Sequence, residues 1–322
     1  MRSLANTVAV VAGATRGAGR GIACMLGEAG ATVYCTGRSI AGSPSPIGRP
    51  ETIDETAQAV CDRGGNGIAV RVDHSDPASV RALFEKIRVD EKGCLDLVVN
   101  VMSGDAHLAS GMLSGRKPVS FTEYPIEKGL AVQENGVHTH LITAHYAAPL
   151  LVDRSGGLII EVTDGNTLGY NDVGVYYSLS KTSVILLAHL MAEELRSKNV
   201  AVVSLTPGWL RSEKMLDGFG VTEENWRDAL AETPEFAKSE TPYYIGRAVV
   251  ALASDPDIMD RTGHSLSAGH LAREYGFTDV DGRQPPGYAW GSGGMREGVF
   301  RSGRFIDRSD SLTPSDSADA PR

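Results

Sequence analysis

Short apolar runs alternate along the chain with longer segments whose apolar residues recur at the spacing of a helix. The runs are rich in Val and Ile and occupy positions 7–13, 32–37, 68–73, 95–101, 158–163, 200–206 and 264–268. The first six are almost continuously apolar, which is typical of strands that helices cover on both faces. Helical patterns between the runs include positions 19–29, 78–91 and 180–198. This alternation predicts βαβ units.

The fold class that follows is α/β, with three layers around a doubly wound, mostly parallel sheet of seven strands. We expect a single domain over residues 1–290, because one sheet accounts for all the runs. An insert at 210–238 carries apolar patches and is predicted to form a substrate lid. The polar, glycine-rich segment 291–322 is predicted to be a partly disordered tail.

The composition of the chain indicates which partners it binds and in which cellular compartment it lies. The chain of 322 residues has a formal net charge of −9, which argues against nucleic acid or an anionic membrane as the main partner. No apolar stretch approaches the roughly 18 residues of a membrane span. The four cysteines form no paired motif, which favours a reducing compartment. We therefore predict a cytoplasmic protein.

A glycine-rich loop follows the first predicted strand and precedes a predicted helix. Gly13, Gly17 and Gly19 lie in the sequence AGATRGAG together with Thr15 and Arg16. Glycines at this spacing permit a tight turn and let backbone N–H groups approach a pyrophosphate at the positive end of the helix. An ordinary strand–helix turn can also be rich in small residues. The strand–loop–helix context nevertheless favours dinucleotide binding on a Rossmann fold.

The end of the second strand indicates which dinucleotide binds. An NAD site places an acidic residue there for the ribose 2′-hydroxyl, whereas an NADP site places an arginine near the 2′-phosphate. Residues 34–40 contain no acid and include Arg38, and Arg16 offers a second cation. We therefore predict NADP(H) rather than NAD. Asp73 ends the third predicted strand and Asn100 lies near the end of the fourth, so both are placed to contact adenosine, unless each is an ordinary strand-end cap.

The candidate catalytic residues lie in the segment TDGNTLGYNDVGVYYSLSK, residues 163–181. Tyr177 and Lys181 stand four positions apart and therefore share one face of a helix. A neighbouring ammonium and an oxidised nicotinamide both favour tyrosinate, so Tyr177 could exchange a proton with a carbonyl oxygen while hydride reaches the carbon. Such a pair is common by chance, but its place after a dinucleotide loop and a fifth strand favours catalysis. Tyr176 has no lysine at this spacing and is interpreted as a packing residue.

Together these elements resemble the short-chain dehydrogenase/reductase family, of the NADP-dependent type. The matching motifs are GATRGAG, VVN, YSLSK and TPGWLRS, in the family's order and spacing, and the resemblance covers residues 7–268. Two later segments, RAVVALASDPDIM and AREYGFTDVDG, resemble the branch called dehydrogenase/reductase member 1. The resemblance implies a homo-oligomer, dimer or tetramer, built partly on helices near 134–152 and 177–198.

The resemblance also implies roles for individual residues. Tyr177 would be the acid–base, and Lys181 its partner and a ligand of the nicotinamide ribose. Asn135 matches a helix asparagine that relays protons through water to the lysine. Pro207 and Gly208 match the turn beside the nicotinamide. Ser212 matches the hydroxyl residue that holds the carboxamide.

Two departures from the family's pattern concern the substrate site. The usual NNAG after the fourth strand is NVMSG at residues 100–104, so that loop is rebuilt. The family's serine on the fifth strand is replaced by Asp164, which stands thirteen positions before Tyr177. An ionised carboxylate would repel a developing alkoxide by roughly 4 kcal/mol at about 4 Å and an effective dielectric near 20. Asp164 could be protonated and donate as serine does, or bind a polar or cationic substrate group, or be replaced in the site by Thr163.

Two functions of different classes remain open. The first is an NADP(H)-dependent oxidoreductase acting on a carbonyl or alcohol of moderate size, with Tyr177, Lys181, Asn135 and Asp164 as its catalytic set. The second is an NADP-binding sensor or scaffold with weak or no reductase activity. The rebuilt loop and Asp164 motivate the second function, and the intact Tyr–Lys–Asn set opposes it.

Other candidate sites are weaker. Three histidines lie in one helical segment, but His138 and His140 are two positions apart and point away from each other, so no metal site is predicted. Ser178 and Ser180 lack a histidine in a triad arrangement, which argues against a hydrolase.

Overall fold

A parallel sheet of apolar strands organises the protein, for which the computed structural model describes residues 3–43, 48–103, 119–154, 156–165, 174–287, 298–301 and 304–307. The parallel strands are β1 Val8–Ala12, β2 Thr32–Gly37, β3 Asn66–Arg71, β4 Leu97–Asn100, β5 Gly157–Val162, β6 Val200–Thr206 and β7 His264–Ser267. Their order is β3-β2-β1-β4-β5-β6-β7, so the direction of winding reverses between β1 and β4. The predicted doubly wound α/β sheet is therefore confirmed.

Helices connect successive strands and cover both faces of the sheet. They are α1 Gly17–Glu28, α2 Ile53–Asp62, α3 Pro77–Asp90, α4 Ile126–Gln133, α5 Thr139–Asp153, α6 Val175–Leu195, α7 Glu213–Phe219, α8 Pro242–Ala253 and α9 Ala268–Tyr275. A π-helical turn, Glu134–His138, joins α4 to α5. Local sequence explains several helix starts: Thr52 forms a capping box on α2, and Asp76 and Thr241 cap α3 and α8.

The two faces of β1 show why its sequence is continuously apolar. Ala9 and Val11 pack into a core with residues of α1, α2, α8 and α9. Val8 and Val10 point the other way, into a second core with residues of α3, α5 and α6. Successive side chains of a strand alternate between its faces, and here each face meets a layer of helices. The three predicted layers follow from this pattern.

Two features lie beyond the seven parallel strands. A pair of antiparallel strands, β8 Gly298–Arg301 and β9 Arg304–Asp307, extends the sheet edge beyond β7, within the segment predicted to be a polar tail. The disorder predicted for the last residues of the chain lies outside the described residues. The insert between β6 and α8 contains α7 and two short 3-10 turns, which share a small apolar core around Trp226 and Phe236. None of the helices in the described residues combines the length and the hydrophobicity that a membrane-spanning segment needs.

Candidate active site

The carboxyl ends of β1, β4, β5 and β6 bring four loops to one edge of the sheet. Ligands of open α/β sheets bind at this edge, next to the point where strand order reverses. The glycine loop after β1 lies against the loop after β4, because a Cβ added to Gly13 would stand 3.2 Å from the backbone nitrogen of Met102. The loop after β5 is tied to β6 by a hydrogen bond from the backbone N–H of Gly165 to Thr206 Oγ1 at 2.9 Å.

The glycine loop has the shape that a pyrophosphate requires. Gly13 and Gly17 have positive φ angles of 91° and 54°, which side-chain-bearing residues rarely adopt. A Cβ on Gly19 would stand 2.1 Å from the carbonyl oxygen of Gly13. Thr15 is buried and packs against the end of β2. A Cβ added to Gly37 there would stand only 2.7 Å from Thr15 Oγ1. The glycines therefore place no side chain between the backbone at the start of α1 and a ligand, and the loop residues fit a dinucleotide.

Helix α7 of the insert reaches back over this loop. The backbone N–H of Gly17 donates to Glu213 Oε2 at 2.8 Å, and Ser212 Oγ accepts from the backbone N–H of Met215 at 3.3 Å. Ser212 thus caps α7, and its predicted contact with the carboxamide stays a prediction. Glu213 was not among the predicted site residues, although it directly follows Ser212. Its carboxylate occupies the positive end of α1, where a pyrophosphate would bind.

An ion-pair network surrounds the predicted 2′-phosphate region. Arg16 Nε donates to Glu51 Oε2 at 3.1 Å, and Arg49 forms ion pairs with Glu51 at 2.6 Å and with Asp217 of α7 at 2.7 Å. Burial would raise the pKa of Glu51, but its hydrogen bonds to Arg49 and to the backbone, and the positive charges of Arg49 and Arg16, lower it overall. Arg16 Nη2 is buried without a hydrogen-bond partner among the described residues. Arg38 is exposed at the end of β2.

Asp73 and Asn100 differ in what they contact. Asp73 Oδ1 accepts from the backbone N–H and the hydroxyl of Ser75, at 3.0 and 2.7 Å. Burial would raise the pKa of Asp73, but these hydrogen bonds and the charge of Arg38 lower it. Asn100 is fully buried, and its Nδ2 donates to Glu161 Oε1 at 2.8 Å. The adenosine contacts predicted for both residues stay predictions, and Asp73 also closes a local turn.

Tyr177 and Asp164 meet at the carboxyl end of β5. Tyr177 Oη donates to Asp164 Oδ2 at 2.5 Å. Helix α6 begins at Val175, earlier than the sequence predicted, so Tyr177 lies in its first turn. The hydroxyl of Thr163 is buried and donates to the backbone carbonyl of Lys181 at 2.8 Å. Thr163 therefore joins β5 to α6, and of the two candidates for the serine position it is Asp164 that contacts the tyrosine.

Lys181 lies one helical turn after Tyr177, on the same face of α6. Both side chains are buried, and Lys181 Nζ is 5.3 Å from the centre of the Tyr177 ring. The ammonium also donates to Ser103 Oγ at 3.0 Å, which brings the loop after β4 into the site. Ser103 was not predicted as a site residue, although the altered NVMSG sequence marked its loop as unusual. The Gly104 of that sequence lies outside the described residues.

Asn135 and the turn after β6 complete the predicted set. Asn135 is half-buried in the π-helical turn, where its Nδ2 donates to the backbone carbonyl of Ala131 at 2.7 Å. Turns of this kind are frequent at functional sites. Pro207 and Gly208 follow β6 directly, and Thr206 Oγ1 donates to the carbonyl of Pro207 at 3.1 Å. All the predicted loops therefore converge on the carboxyl edge of the sheet.

Comparison with known proteins agrees with this arrangement. The family model of short chain dehydrogenases matches residues 7–217, so the chain belongs to the short-chain dehydrogenase/reductase family. Members of this family use NAD(P)(H), and the chain is an oxidoreductase of this NAD(P)-dependent class that acts on a small molecule. The resemblance predicted from the motifs is thereby confirmed.

Particular relatives refine the comparison. The chain is 36% identical over 283 residues to Dehydrogenase/reductase SDR family member 1 of Mus musculus, with 87% of this chain and 85% of the relative covered. It is 25% identical over 233 residues to the NADPH-dependent aldehyde reductase-like protein, chloroplastic, of Arabidopsis thaliana, covering 72% of this chain and 82% of that one. A short chain dehydrogenase from Mycobacterium thermoresistibile shares the fold, with a TM-score of 0.72, 22% identity and coverage of 89% and 95%.

Proposed function

We propose that the protein is an NADP(H)-dependent carbonyl reductase or alcohol dehydrogenase in which Tyr177 is the acid–base. The supporting observation is the position of Tyr177 Oη, which lies at the carboxyl edge of the sheet and donates to Asp164 at 2.5 Å. Lys181 shares its helix face, with Nζ 5.3 Å from the tyrosine ring. A proton donor and a fixed positive charge thus flank the position where a substrate oxygen would be protonated.

The glycine loop, with Arg16 and Arg38 near the 2′-phosphate, would hold NADPH, which would supply hydride for the carbonyl carbon of the substrate. Tyr177 Oη gives its proton to the carbonyl oxygen, and the nearby ammonium of Lys181 stabilises the resulting tyrosinate. Ser103 Oγ accepts a hydrogen bond from Lys181 Nζ and so orients the ammonium. Asn135, in the π-helical turn before α5, is the residue that we assign to returning the proton through water. In the oxidative direction Tyr177 takes the proton of the alcohol.

The preference for NADP(H) rests on the arginines around the end of β2. Two acids, Glu51 and Asp217, pair with Arg16 and Arg49, and Arg38 is exposed beside them as a further positive charge. The buried Nη2 of Arg16 has no hydrogen-bond partner among the described residues, which suits a phosphate oxygen. A relative whose name describes it as NADPH-dependent is consistent with this preference.

The test is NADPH oxidation with a panel of aldehydes and ketones, comparing the wild type with Tyr177→Phe. Tyr176→Phe is the matched control, because Tyr176 packs against Gly129 and its ring centre is 5.4 Å from that of Tyr124. We expect Tyr177→Phe to lose nearly all turnover, while the control retains it. If the wild type binds NADPH but oxidises it no faster than Tyr177→Phe over pH 5 to 8, the sensor or scaffold function replaces the enzyme.

We also propose that the protein is a homo-oligomer built on α5 and α6. The supporting observation is a set of exposed leucines on these helices, Leu141, Leu179, Leu186 and Leu190. Exposed apolar surface of this kind favours association between copies. Sedimentation of the wild type and Leu186→Glu tests the proposal: the charge should shift the protein towards monomer, and an unchanged mass would contradict it.

A cytoplasmic location is the last part of the proposal. Its support is that Cys24, Cys35, Cys61 and Cys94 are all free thiols in the structure. Proteins of oxidising compartments tend to pair their cysteines. Thiol labelling of the protein in intact cells should find all of the cysteines reduced, and a disulfide would contradict the location.

A further inference from the structure

Three buried polar side chains, one each from β4, β5 and α5, meet near the carboxyl edge of the sheet. Glu161 of β5 and His140 of α5 are 0% and 1% exposed, and Glu161 Oε2 lies 2.5 Å from His140 Nδ1. Asn100, at the end of β4, donates from Nδ2 to Glu161 Oε1 at 2.8 Å. Glu161 interrupts an otherwise apolar strand, and such buried groups are costly unless their hydrogen bonds are satisfied.

The second nitrogen of His140 fixes the proton arrangement. Nε2 lies 2.9 Å from the backbone carbonyl oxygen of Met102, which can only accept, so Nε2 must carry a hydrogen. The contact between Nδ1 and Glu161 then holds one proton, on either atom. The pair is therefore neutral overall, and it delivers a hydrogen bond to the loop after β4.

That loop connects the buried pair to the catalytic lysine. The backbone of Met102 lies against the glycine loop, 3.2 Å from where a Cβ of Gly13 would stand. The next residue, Ser103, accepts the hydrogen bond from Lys181 Nζ at 3.0 Å. A continuous series of contacts thus runs from Glu161 through His140, Met102 and Ser103 to Lys181.

We propose that Glu161 and His140 are positioning residues, which fix the Met102–Ser103 segment so that Ser103 orients the ammonium of Lys181. The proposal rests on the proposed reductase function for its kinetic readout. The alternative is that the pair only ties β5 to α5. The two explanations make different predictions. A pair that only joins β5 to α5 would affect the stability of the fold but not the position of the Lys181 ammonium.

The first experiment is a double-mutant cycle measured by kcat for NADPH oxidation. Glu161→Leu/His140→Phe removes both buried partners together, so that no lone charge is left in the core. Ser103→Ala removes the contact with Lys181. We expect each to lower kcat by about ten- to a hundredfold, because misplacing a catalytic group by about 1 Å can cost this much, with the KM for NADPH changed by less than about twofold. The two losses should not multiply when combined, because they act through the same contact.

Two further variants separate positioning from general disruption of the core. Glu161→Gln can donate to His140 Nδ1 while still accepting from Asn100, and His140 keeps the hydrogen on Nε2. We expect it to retain at least about half of kcat. Thr143→Val is the matched control on α5, because Thr143 is buried there and bonded to His74 rather than to the loop. It should leave kcat within about twofold of the wild type.

Multiplying losses in the cycle, or a Glu161→Gln variant as impaired as the double variant, would overturn the proposal. If the wild type binds NADPH but reduces no carbonyl, the proposed function is refuted and the positioning proposal is not. A measurement that needs no turnover then tests positioning. The side-chain NMR signal of Lys181 should then shift alike in Ser103→Ala and Glu161→Leu/His140→Phe, and not in Thr143→Val. A Lys181 signal unmoved by loss of the buried pair would refute positioning. Should the double variant fail to fold, Glu161→Gln still tests the proposal: loss of kcat, or a Lys181 signal shifted as far as in Ser103→Ala, would overturn it.

Discussion

Replacing Asp164 by serine removes a carboxylate that accepts a hydrogen bond from Tyr177 Oη at 2.5 Å. In the proposed mechanism a substrate oxygen takes its proton from the same Oη, so it must lie beside Asp164 at the moment when negative charge develops on it. An ionised carboxylate there opposes reduction of an uncharged ketone. It would instead favour a substrate that carries an ammonium or another hydrogen-bond donor near its carbonyl.

The size of the effect follows from the distance. Two negative charges about 4 Å apart repel by about 4 kcal/mol at an effective dielectric near 20, which corresponds to roughly a thousandfold in rate. Asp164 is only half-buried, so water screens part of this repulsion and a thousandfold is the upper bound. We expect Asp164→Ser to raise kcat for uncharged ketones by at least about tenfold, and to lower kcat/KM for amino ketones by a similar factor.

The assay is steady-state NADPH oxidation with paired ketones of similar size, one neutral and one bearing an ammonium. Asp164→Asn is the matched control, because it removes the charge and keeps the shape of the side chain. Like Asp164→Ser, Asp164→Asn should raise kcat for the neutral ketone and lower kcat/KM for the amino ketone. Equal rates for the wild type and both variants on both ketones would refute the repulsion and show that Asp164 is not an ionised neighbour of the reacting oxygen.

Three further predictions concern cofactor binding and stability. Arg38→Ser should weaken NADPH binding by about ten- to a hundredfold and leave NADH binding unchanged, as measured by nucleotide fluorescence, because a charge-assisted hydrogen bond to the 2′-phosphate is lost. Glu213→Gln should tighten NADPH binding by about tenfold in a titration, since its carboxylate lies 2.8 Å from the Gly17 nitrogen at the pyrophosphate site. Burial raises the pKa of Glu240 from 4.5 to about 8, so the folded state keeps a proton that the unfolded state releases, and stability falls as pH rises through that window. Urea denaturation at pH 5 and 8.5 should show a smaller fall for Glu240→Gln; equal falls would contradict a buried, protonated Glu240.

Most of the fold could be predicted because most of its parallel strands, such as β1, β4 and β6, are buried on both faces. Such strands appear as apolar runs, and the run predicted at 32–37 coincides with β2. The start of α6 was predicted a few residues late, with a helical pattern from 180 and a helix near 177–198, because the residues before Tyr177 carry no capping side chain: Gly174 precedes Val175 with φ of 111°. Strands β8 and β9 were missed because the surrounding segment is polar and rich in glycine.

The site was predictable where its residues are close in sequence. Tyr177 and Lys181 follow from helical spacing, and Asp164 was located by its distance along the chain from the tyrosine. The contacts that were missed join residues far apart in sequence. The hydrogen bond between Gly17 and Glu213 spans 196 positions, and no local pattern of apolar and polar residues encodes such a pairing. The same holds for His140 and Glu161, whose contact depends on how α5 packs on β5.

Single-turnover transfer of deuterium measures whether Tyr177 is the proton donor. Enzyme loaded with NADPH that carries deuterium at the transferred position is mixed with an accepted ketone, and the alcohol is analysed by mass spectrometry for wild type, Tyr177→Phe and Tyr176→Phe. We expect a singly deuterated alcohol from the wild type and Tyr176→Phe, and none within the same time from Tyr177→Phe, although all three bind the cofactor. Equal label transfer by Tyr177→Phe would contradict the role of Tyr177 as the proton donor.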